Sequence, residues 1–369
     1  MKFINLICRI LLGGLFIFSG LIKINDPYGF AYKLEEYFEI FSHDFSPIFT
    51  SFIPYSLFFS VSISAFEIIL GVAILLYYRM NLVMWLTLLM MIFFTFLTFY
   101  AFWWDKVKEC GCFGDAIKLT PKTSFYKDLI LTALTLVLFA QRKRLLSSYN
   151  GLKGHALMLV VSLGAFYIGY YAILHLPYKD FLPYKVGSNI KEQMKAPEAP
   201  IYKYIMTKDG KQYEFIQYPT DPGFKLDTFV LTNPDKIYAP ITDYKLWNDQ
   251  GDYTDSSLTG KKLFIIIKDA DKAAEKCNQN CMVKVNDLVK GLEGTDIKAI
   301  AVTSTSGDKF EEYRHEMQLA VPYYFADGVV LKTMIRANPG IMLLDNGTVL
   351  GKWHYNDVPD VQTIKSLLH

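Results

Sequence analysis

The sequence predicts a multidomain membrane protein, in which an α-helical bundle of five transmembrane spans is followed by an α/β domain outside the membrane. Of the 369 residues, 52% are hydrophobic, and these concentrate in the first half. Five windows in that half reach the roughly 20 mostly apolar residues that cross a bilayer. After Pro177 no such window remains, and short apolar strands alternate with helical segments. The formal net charge of +2 gives no support to a nucleic-acid partner.

The predicted spans cover residues 5–24, 55–78, 81–104, 125–140 and 155–176. The fourth is the shortest, and it carries Lys127 and Asp128 near its start. No small-residue cleavage site follows the first apolar run, and further spans come after it. The first span is therefore predicted to remain in the lipid bilayer and not to be a cleaved signal peptide.

Basic residues in the short loops predict the orientation of the bundle. With a cytoplasmic N-terminus, all four arginines before residue 177 lie inside, and the inner segments contain no Asp or Glu. An odd number of spans then places residues 177–369 outside. The expected location is a bacterial inner membrane with the C-terminal domain in the periplasm. Four of the five cysteines would then face the oxidising side, where disulfides persist.

A cysteine pair lies in the loop between the third and fourth predicted spans. Residues 108–115 read Lys-Glu-Cys-Gly-Cys-Phe-Gly-Asp. The single residue between Cys110 and Cys112 makes an internal disulfide tight and therefore oxidising, and Gly111 supplies the backbone freedom it needs. The alternatives are a structural turn, a soft-metal site or a bridge to another chain. No histidine is nearby and two thiolates do not complete a zinc site, so no metal is expected.

Three charged residues of the bundle are candidates for binding a cofactor. Lys23 ends the first span, where it could snorkel to the interface or, with Asp26, bind a polar head group. Glu67 lies in the middle of the second span, where an ionisable side chain is expected to face the bundle interior. It could carry protons, bind a head group or form a structural hydrogen bond between helices. The aromatic residues 99–104 form an interfacial belt and would also suit a quinone.

These motifs resemble a known family. The stretch from Gly20 to Pro27, Glu67 with Gly71, and the Cys-Gly-Cys-Phe-Gly element of residues 110–114 together resemble the DoxX/MauE family of four-helix membrane proteins, over residues 1–145. The resemblance implies thiol or quinone redox chemistry and a role in maturing extracytoplasmic proteins. The fifth span, within residues 146–177, is an addition to that pattern.

The remaining chain divides into a linker with a small β unit, residues 178–235, and an α/β domain, residues 236–369. Prolines interrupt residues 177–200, and residues 201–218 read as a hairpin with an Asp-Gly turn. In the α/β domain, residues 239–252 read as a strand that ends at a turn. The elements predicted after it are strand 263–267, helix 269–292, strand 297–302, helix 308–319, strand 323–325, helix 328–335, a hairpin over 338–353 and helix 360–368.

This order of elements resembles the thioredoxin fold, and residues 239–262 resemble the opening of its thiol-reductase and peroxiredoxin-like branch. The resemblance implies that Pro339 is a cis-proline facing redox cysteines. Cys277 and Cys281 depart from the pattern, because they are spaced Cys-x-x-x-Cys and begin ten residues after Ile267. Within one helix their Cα atoms would be roughly 6 Å apart. If a loop precedes Cys277, this residue could be the attacking thiol. A redox pair, a structural disulfide and inert thiols remain open.

Two functions follow from these observations. The first is an inner-membrane thiol–disulfide redox protein that passes electrons between periplasmic protein thiols, the thioredoxin-like domain and the Cys-Gly-Cys loop, with a quinone held near Glu67. The second is a non-catalytic subunit of a larger membrane complex, whose degenerate thioredoxin-like domain binds a partner. An exposed Cys277 near Pro339 would favour the first function, and cysteines directed into the core would favour the second.

Overall fold

The computed structural model describes residues 2–107, 111–143, 145, 149, 151–233 and 237–368. It divides the chain into two compact units, Met1–Leu182 and Pro183–His369. The first unit consists of helices, and the second contains two β-sheets with short helices.

The helices of the first unit are α1 (Lys2–Asn25), α2 (Pro27–Asp44), a 3₁₀ segment (Pro47–Tyr55), α3 (Ser56–Leu75), α4 (Met80–Trp104), α5 (Pro121–Ala140) and α6 (Leu152–Leu174). Five stretches are long and apolar enough to cross a membrane, which confirms the five predicted spans. They are Phe3–Asn25, Pro47–Leu75, Met80–Trp104, Pro121–Ala140 and Leu152–Leu174.

Two of the α-helices described in this unit begin with a proline in the first turn and a polar cap before it. Asp26 caps α2, and Thr120 caps α5. Proline is suited to this position because its missing N–H would have no partner there. The apolar face of α2 is buried, and the Tyr37 hydroxyl donates to the Leu97 carbonyl of α4. α2 therefore packs against the bundle with that face.

Glycines bring the backbones of α1 and α3 into contact. A Cβ atom added at Gly71 would lie 2.7 Å from the Gly13 carbonyl oxygen, and one added at Gly20 would lie 2.8 Å from the Ser64 carbonyl oxygen. Small residues permit such close packing between membrane helices. Gly14, the residue after Gly13, has open space beside its Cα atom.

We expect Gly71→Ala to lower the thermal stability of the full chain in detergent, because the new methyl group meets a backbone carbonyl that cannot move alone. Overpacking of this kind costs about 1–3 kcal/mol. Gly14→Ala is the matched control on the same helix pair, and it should leave the melting temperature unchanged or raise it. Equal losses in the two variants would contradict a close α1–α3 crossing.

The second unit opens with a small antiparallel sheet in the order β2-β1-β3. Its strands are β1 (Tyr202–Lys208), β2 (Lys211–Phe215) and β3 (Lys225–Leu231). Asp209 and Gly210 both have positive φ angles, as a two-residue type I′ hairpin turn requires. The predicted hairpin is confirmed, and β3 adds a third strand to it.

The larger sheet has seven strands in the order β10-β9-β6-β7-β8-β4-β5. The strands are β4 (Trp247–Asn248), β5 (Gly251–Asp252), β6 (Lys261–Ile267), β7 (Lys298–Thr303), β8 (Tyr323–Phe325), β9 (Gly340–Asp345) and β10 (Thr348–His354). β6, β7 and β8 are parallel, whereas β9 is antiparallel to β6 and forms a hairpin with β10. The order β10-β9-β6-β7 is that of the thioredoxin fold, so the predicted fold class is confirmed.

Short helices cover this sheet: α7 (Ile190–Gln193), α8 (Thr254–Ser257), α9 (Ala270–Lys276), α10 (Gln279–Gly291), α11 (Gly307–Glu316), α12 (Gly328–Met334) and α13 (Val361–Ser366). The predicted strand over residues 239–252 is wrong in extent, because only the two-residue strands β4 and β5 form there. β6 is almost completely buried, as its run of apolar residues predicts.

Part of the predicted linker belongs to the larger sheet. The Gly187 amide donates to the Val349 carbonyl, and the Val349 amide donates to the Ser188 carbonyl, over 2.8 and 2.9 Å. Ile190 is fully buried. The interpretation of residues 177–200 as a continuous linker is therefore wrong, because their prolines flank this paired segment and leave its backbone N–H groups intact.

The predicted helix over residues 269–292 is broken into α9 and α10. Cys277 ends α9, and the extended backbone of Asn278 begins α10. The Asn278 side chain accepts a hydrogen bond from the Cys281 amide. Asparagine favours such caps over helix interiors, because its side chain competes for nearby backbone groups. The two cysteines therefore do not lie within one continuous helix.

Candidate functional site

Three of the predicted site residues line one small cavity inside the first unit. Cys112 from the loop, Lys23 from α1 and Glu67 from α3 all contribute to its wall. Lys127 and Asp128 from α5 line the same cavity. The sequence placed the three predicted residues in separate motifs, and the fold brings them together. Cys110 lies outside the described residues.

Lys23 and Glu67 form a buried ion pair that links α1 to α3. The Lys23 ammonium group donates to Glu67 Oε1, and each residue is only 2% exposed. The ammonium group also lies 4.5 Å from the centroid of the Phe94 ring and 5.0 Å from that of Phe30. Glu67 faces the bundle interior as predicted. The interpretation of Lys23 as a snorkelling residue is wrong, because a buried carboxylate holds its ammonium group inside the bundle.

The loop containing Cys112 is held against α1. The Ser19 hydroxyl donates to the Cys112 carbonyl over 3.0 Å, and Phe113 packs on Phe18 with ring centroids 5.6 Å apart. Gly111 has a φ of +69°, a conformation that favours glycine. These contacts bury Cys112 at the edge of the cavity.

Sequence reasoning did not assign Lys127 and Asp128 to the site. Lys127 Nζ lies 2.9 Å from Asp128 Oδ1 and 4.9 Å from the centroid of the Phe113 ring. Asp128 is buried and accepts a hydrogen bond from Thr98. Two lysines and two carboxylates therefore surround the cavity that Cys112 lines. The signal was present in the sequence, since two charges open an apolar span just after the cysteine loop.

Asp26 caps a helix next to this site. Its carboxylate caps α2 by accepting a hydrogen bond from the Gly29 amide over 3.0 Å. With Lys23 it also lines a second, smaller cavity of about 10 Å³. The structure thus brings Asp26 and Lys23 together, but Asp26 does not line the cavity of Cys112.

The cavity beside Glu67 does not fit a quinone. Its volume of about 30 Å³ accommodates one or two water-sized groups, which is too little for an aromatic ring. A larger apolar groove of about 440 Å³ lies elsewhere in the unit, lined by Leu34, Tyr37, Phe38, Phe41, Phe45, Phe49, Phe93, Phe96 and Leu97. This groove, and not the ion pair, offers the space that a flat apolar cofactor needs.

A polar cluster lies beside the aromatic groove. Tyr100, whose ring packs against Phe41, donates its hydroxyl proton to Asp44. Lys106 also donates to Asp44, with 2.6 Å between Nζ and Oδ1. The hydrogen bonds from Lys106 and Tyr100 hold the pKa of Asp44 below its usual range. An anionic group therefore lies next to the apolar groove and already has two donors.

The two cysteines of the second unit form a disulfide in its core. Cys277 and Cys281 are joined, with their Cα atoms 5.1 Å apart. Cys277 is completely buried among the apolar residues of the core, whereas Cys281 is half-buried. The interpretation of Cys277 as an attacking thiol is wrong for this conformation, because no disulfide or thiol of another chain can reach its sulfur atom.

The Asn338–Pro339 peptide bond is cis, as the resemblance to the thioredoxin fold implies. The Asn338 side chain accepts from the Lys268 amide and donates to the Asp269 carbonyl, each over 2.8 Å. The segment beside the cis-proline loop is therefore the one that directly follows β6, and it contains no cysteine. Cys277 lies at the other end of α9, about 10 Å further along the chain.

Comparisons with known proteins agree with the membrane half of this description. Residues 1–141 match the family model described as methylamine utilisation protein MauE. The first 141 residues are thus MauE-like. This confirms the MauE part of the resemblance that was predicted for residues 1–145. No curated protein sequence matches the chain.

Two solved structures are similar to parts of the chain. The C-terminal domain of an uncharacterized protein from Bacteroides fragilis NCTC 9343 aligns at 14% identity, over 48% of this chain and 99% of that one, with a TM-score of 0.22. A thioredoxin-like protein from Bacteroides caccae ATCC 43185 aligns at 11% identity, over 67% of this chain and 76% of that one, with a TM-score of 0.23. The thioredoxin-like fold of the second unit rests on its own strand order.

We expect Lys23→Met and Glu67→Gln each to lower the thermal stability of the full chain in detergent, since each leaves the other group buried without its partner. Breaking a buried pair costs about 3–5 kcal/mol. The double variant should recover a large part of this loss, because neither charge remains. Losses in the double variant that equal the sum of the two single losses would contradict a direct ion pair.

Proposed function

We propose that this chain is a membrane thiol–disulfide redox protein whose redox centre is the loop Cys110-Gly111-Cys112. A MauE-like bundle joined to a thioredoxin-like unit fits a membrane protein with a redox-related role. The observation that carries the proposal is the cavity that Cys112 shares with Lys23, Glu67, Lys127 and Asp128.

The charges around this cavity suit a reactive thiol. A nearby lysine favours the thiolate over the thiol, and the thiolate is the species that attacks a disulfide. Each lysine has a carboxylate partner, Glu67 for Lys23 and Asp128 for Lys127, but Lys127 also lies against the ring of Phe113, the residue that follows Cys112. Lys127 is therefore the cation that we assign to the stabilisation of a Cys112 thiolate.

The proposed exchange moves two electrons and two protons between the loop and its client. A loop thiolate attacks one sulfur of a client disulfide and forms a mixed disulfide, which releases a client thiolate. The second loop thiol loses its proton and attacks the loop sulfur of the mixed disulfide. The loop leaves as a disulfide, and the client has gained two electrons and two protons. In reverse, the same steps oxidise client thiols.

Glu67 is the group that we assign to the proton held at this site. Its Oε1 atom is occupied by Lys23, and Oε2 is buried without a hydrogen-bond partner among the residues that the structure describes. An oxygen with a free lone pair in the wall of the cavity can take up a proton from a loop thiol and return it. Asp128 already accepts a hydrogen bond from Thr98 and forms an ion pair with Lys127, so it is less suited to this role.

The proposed orientation of the bundle is the one that the basic residues of its short loops predict. The N-terminus would be cytoplasmic, and the cysteine loop and the second unit would lie in the periplasm of a bacterial inner membrane. The clients would be periplasmic protein thiols. The proposed electron carrier in the bilayer is a quinone, which supplies two-electron chemistry when bound. The aromatic groove has room for its ring, which Phe41, Phe45 and Phe96 would hold.

In the second unit, Cys281 is the sulfur that an incoming thiolate would attack, since Cys277 is sealed in the core. Attack of the incoming thiolate on the Cys281 sulfur would release Cys277 as a thiolate, and the apolar surroundings of Cys277 disfavour a thiolate. Exchange at this disulfide would therefore require the start of α10 to open.

A second candidate function follows from the burial of Cys277. The disulfide would then be structural, and the thioredoxin-like unit would bind an extended segment of a partner in a larger membrane complex. The absence of cysteine from the segment that follows β6, next to the cis-proline loop, favours this alternative. In this case only the membrane loop would be redox-active, or neither pair would be.

Trapping of mixed disulfides tests the first function against the second. We expect Cys110→Ser to accumulate adducts between Cys112 and client thiols, because the resolving thiol is missing. The adducts would appear as reductant-sensitive bands after acid quenching of membranes. Cys110→Ser/Cys112→Ser is the control and should show none. If Cys110→Ser and Cys112→Ser both fail to form adducts, the loop is not a redox centre.

Adding Cys277→Ser to Cys110→Ser separates the two roles of the second unit. If that unit exchanges electrons with the loop, a peptide linking Cys112 to Cys281 should be found by mass spectrometry. Protein partners that co-purify equally well when all four of these cysteines are serine would support the binding function instead.

We expect Lys127→Met to slow the alkylation of Cys112 by about tenfold at neutral pH, because loss of the adjacent cation lowers the thiolate fraction. The rate would be measured by mass spectrometry of the labelled peptide in the Cys110→Ser background. Lys122→Met removes an exposed charge of the same helix and should leave the rate unchanged. Equal alkylation rates in the two variants would show that Lys127 does not stabilise the Cys112 thiolate.

A further inference from the structure

A second polar cluster lies at the opposite end of the bundle from the cysteine loop. It is formed where α1 begins, α5 ends and the α3–α4 connection passes, and we call it the basic end. Asn5 Nδ2 donates to Gln141 Oε1 over 2.7 Å, which fixes the start of α1 against the end of α5. Tyr78 contacts His155 Nδ1 at the same end, also over 2.7 Å.

Arg9 lies at the basic end with its guanidinium group over an aromatic ring. Its Cζ atom is 4.1 Å from the centroid of the Tyr77 ring. Its Nε atom is buried and finds no acceptor within the part of the chain that the structure describes. A buried donor without an acceptor costs about 1–3 kcal/mol, so an acceptor from outside the chain would stabilise this arrangement.

Arg142 repeats the same arrangement from the end of α5. Its Cζ atom is 3.9 Å from the centroid of the Phe139 ring and 5.5 Å from that of Trp85. One terminal nitrogen donates to the Phe139 carbonyl over 2.9 Å. The Nε atom is again buried and lacks an acceptor among the described residues.

Local geometry places the two arginines in one neighbourhood. Asn5 and Arg9 are four residues apart in α1 and therefore share one face of that helix. Asn5 is bonded to Gln141, the residue next to Arg142. The Oδ1 atom of Asn5 is also buried without a partner within the described ranges. The basic end thus combines two unused donors with one unused acceptor.

The segments of the sequence that contain or adjoin these arginines have no carboxylate side chain. Residues 1–9, 76–85 and 139–155 contain no Asp or Glu. An excess of arginine on the cytoplasmic side follows from the orientation rule alone. That rule concerns only the side on which the basic residues lie, and it does not explain why two guanidinium groups are packed on aromatic rings with a buried donor left over.

We propose that the basic end binds the phosphate group of an anionic phospholipid. Arg9 and Arg142 would donate to phosphate oxygens, and guanidinium groups match phosphate geometry well. Basic pockets between membrane helices are suited to anionic head groups. A head-group hydroxyl could donate to Asn5 Oδ1, which points to a lipid such as phosphatidylglycerol.

The surrounding surface favours a lipid over a free phosphate ion. Leu6, Ile10 and Leu82 are apolar, 40–52% exposed, and lie on the same turns of α1 and α4 as the polar cluster. An acyl chain would cover these side chains while its phosphate group reaches the arginines. This site is independent of the redox function proposed for the cysteine loop.

The test uses the full chain purified in detergent. Native mass spectrometry would count bound lipid, and thermal unfolding would be followed with added dioleoyl phosphatidylglycerol, dioleoyl phosphatidylcholine or inorganic phosphate. We expect phosphatidylglycerol to bind at least tenfold more tightly than phosphatidylcholine. Arg9→Gln/Arg142→Gln should weaken phosphatidylglycerol binding at least tenfold, as expected for the loss of one charged hydrogen bond or more.

The control variant Lys143→Gln/Lys153→Gln removes the same charge from exposed positions of the same end and should change the affinity less than twofold. An equal loss in the control would overturn the proposal, because binding would then depend on net charge alone. Equal binding of the two lipids to the unmodified chain would also overturn it. This comparison needs no variant, so it stands if the arginine double variant fails to fold.

The inorganic phosphate arm distinguishes the source of the phosphate group. If the ion alone stabilises the chain as much as phosphatidylglycerol at the same concentration, the site takes a free anion and the lipid proposal is wrong. If the ion has no effect up to concentrations at which phosphatidylglycerol saturates the chain, the acyl chains contribute to binding as proposed.

Discussion

The buried ion pair between Lys23 and Glu67 is the constraint on which the membrane unit depends. Two charges removed from water are costly unless each satisfies the other, so α1 and α3 must meet at this height and in this rotation. The glycine contacts between the same two helices act in the same direction, because they allow the backbones to approach until the pair can form. With α1 fixed, Ser19 lies in position to hold the carbonyl of Cys112.

The thioredoxin-like unit shows how a fold can be kept while its usual site is not. The strand order, the cis-proline and the side-chain contacts of Asn338 with the segment after β6 are all present. The cysteines, however, lie at the break between α9 and α10, where Cys277 is part of the core. The pair therefore stabilises the junction of two helices, whatever exchange Cys281 undergoes. Fold alone does not assign function here, and the proposed redox chemistry is located in the membrane loop.

Much of the fold was predictable from the sequence, because its signals are local. Apolar windows located the five spans, and the Asp-Gly turn located the β1–β2 hairpin. Two of the errors have a common cause, which is that partners distant in sequence decided the outcome. Lys23 read as a snorkelling residue because Glu67 is 44 positions away, and residues 187–190 read as linker because their partner strand is about 160 positions away. The break at Asn278 was a local signal that went unrecognised, since the side chain of this residue caps the following helix.

The pairing of residues 187–190 with the start of β10 has a further consequence. An edge strand presents unpaired N–H and C=O groups that can recruit a strand from another chain. In this protein the segment that leads into the second unit covers part of that edge. This pairing would limit self-association through the edge of β10, and it is present only while residues 187–190 remain attached. A fragment that begins at the β1 strand would carry a bare edge and would also lack the buried side chain of Ile190, so dimers of such a fragment would not represent the intact protein.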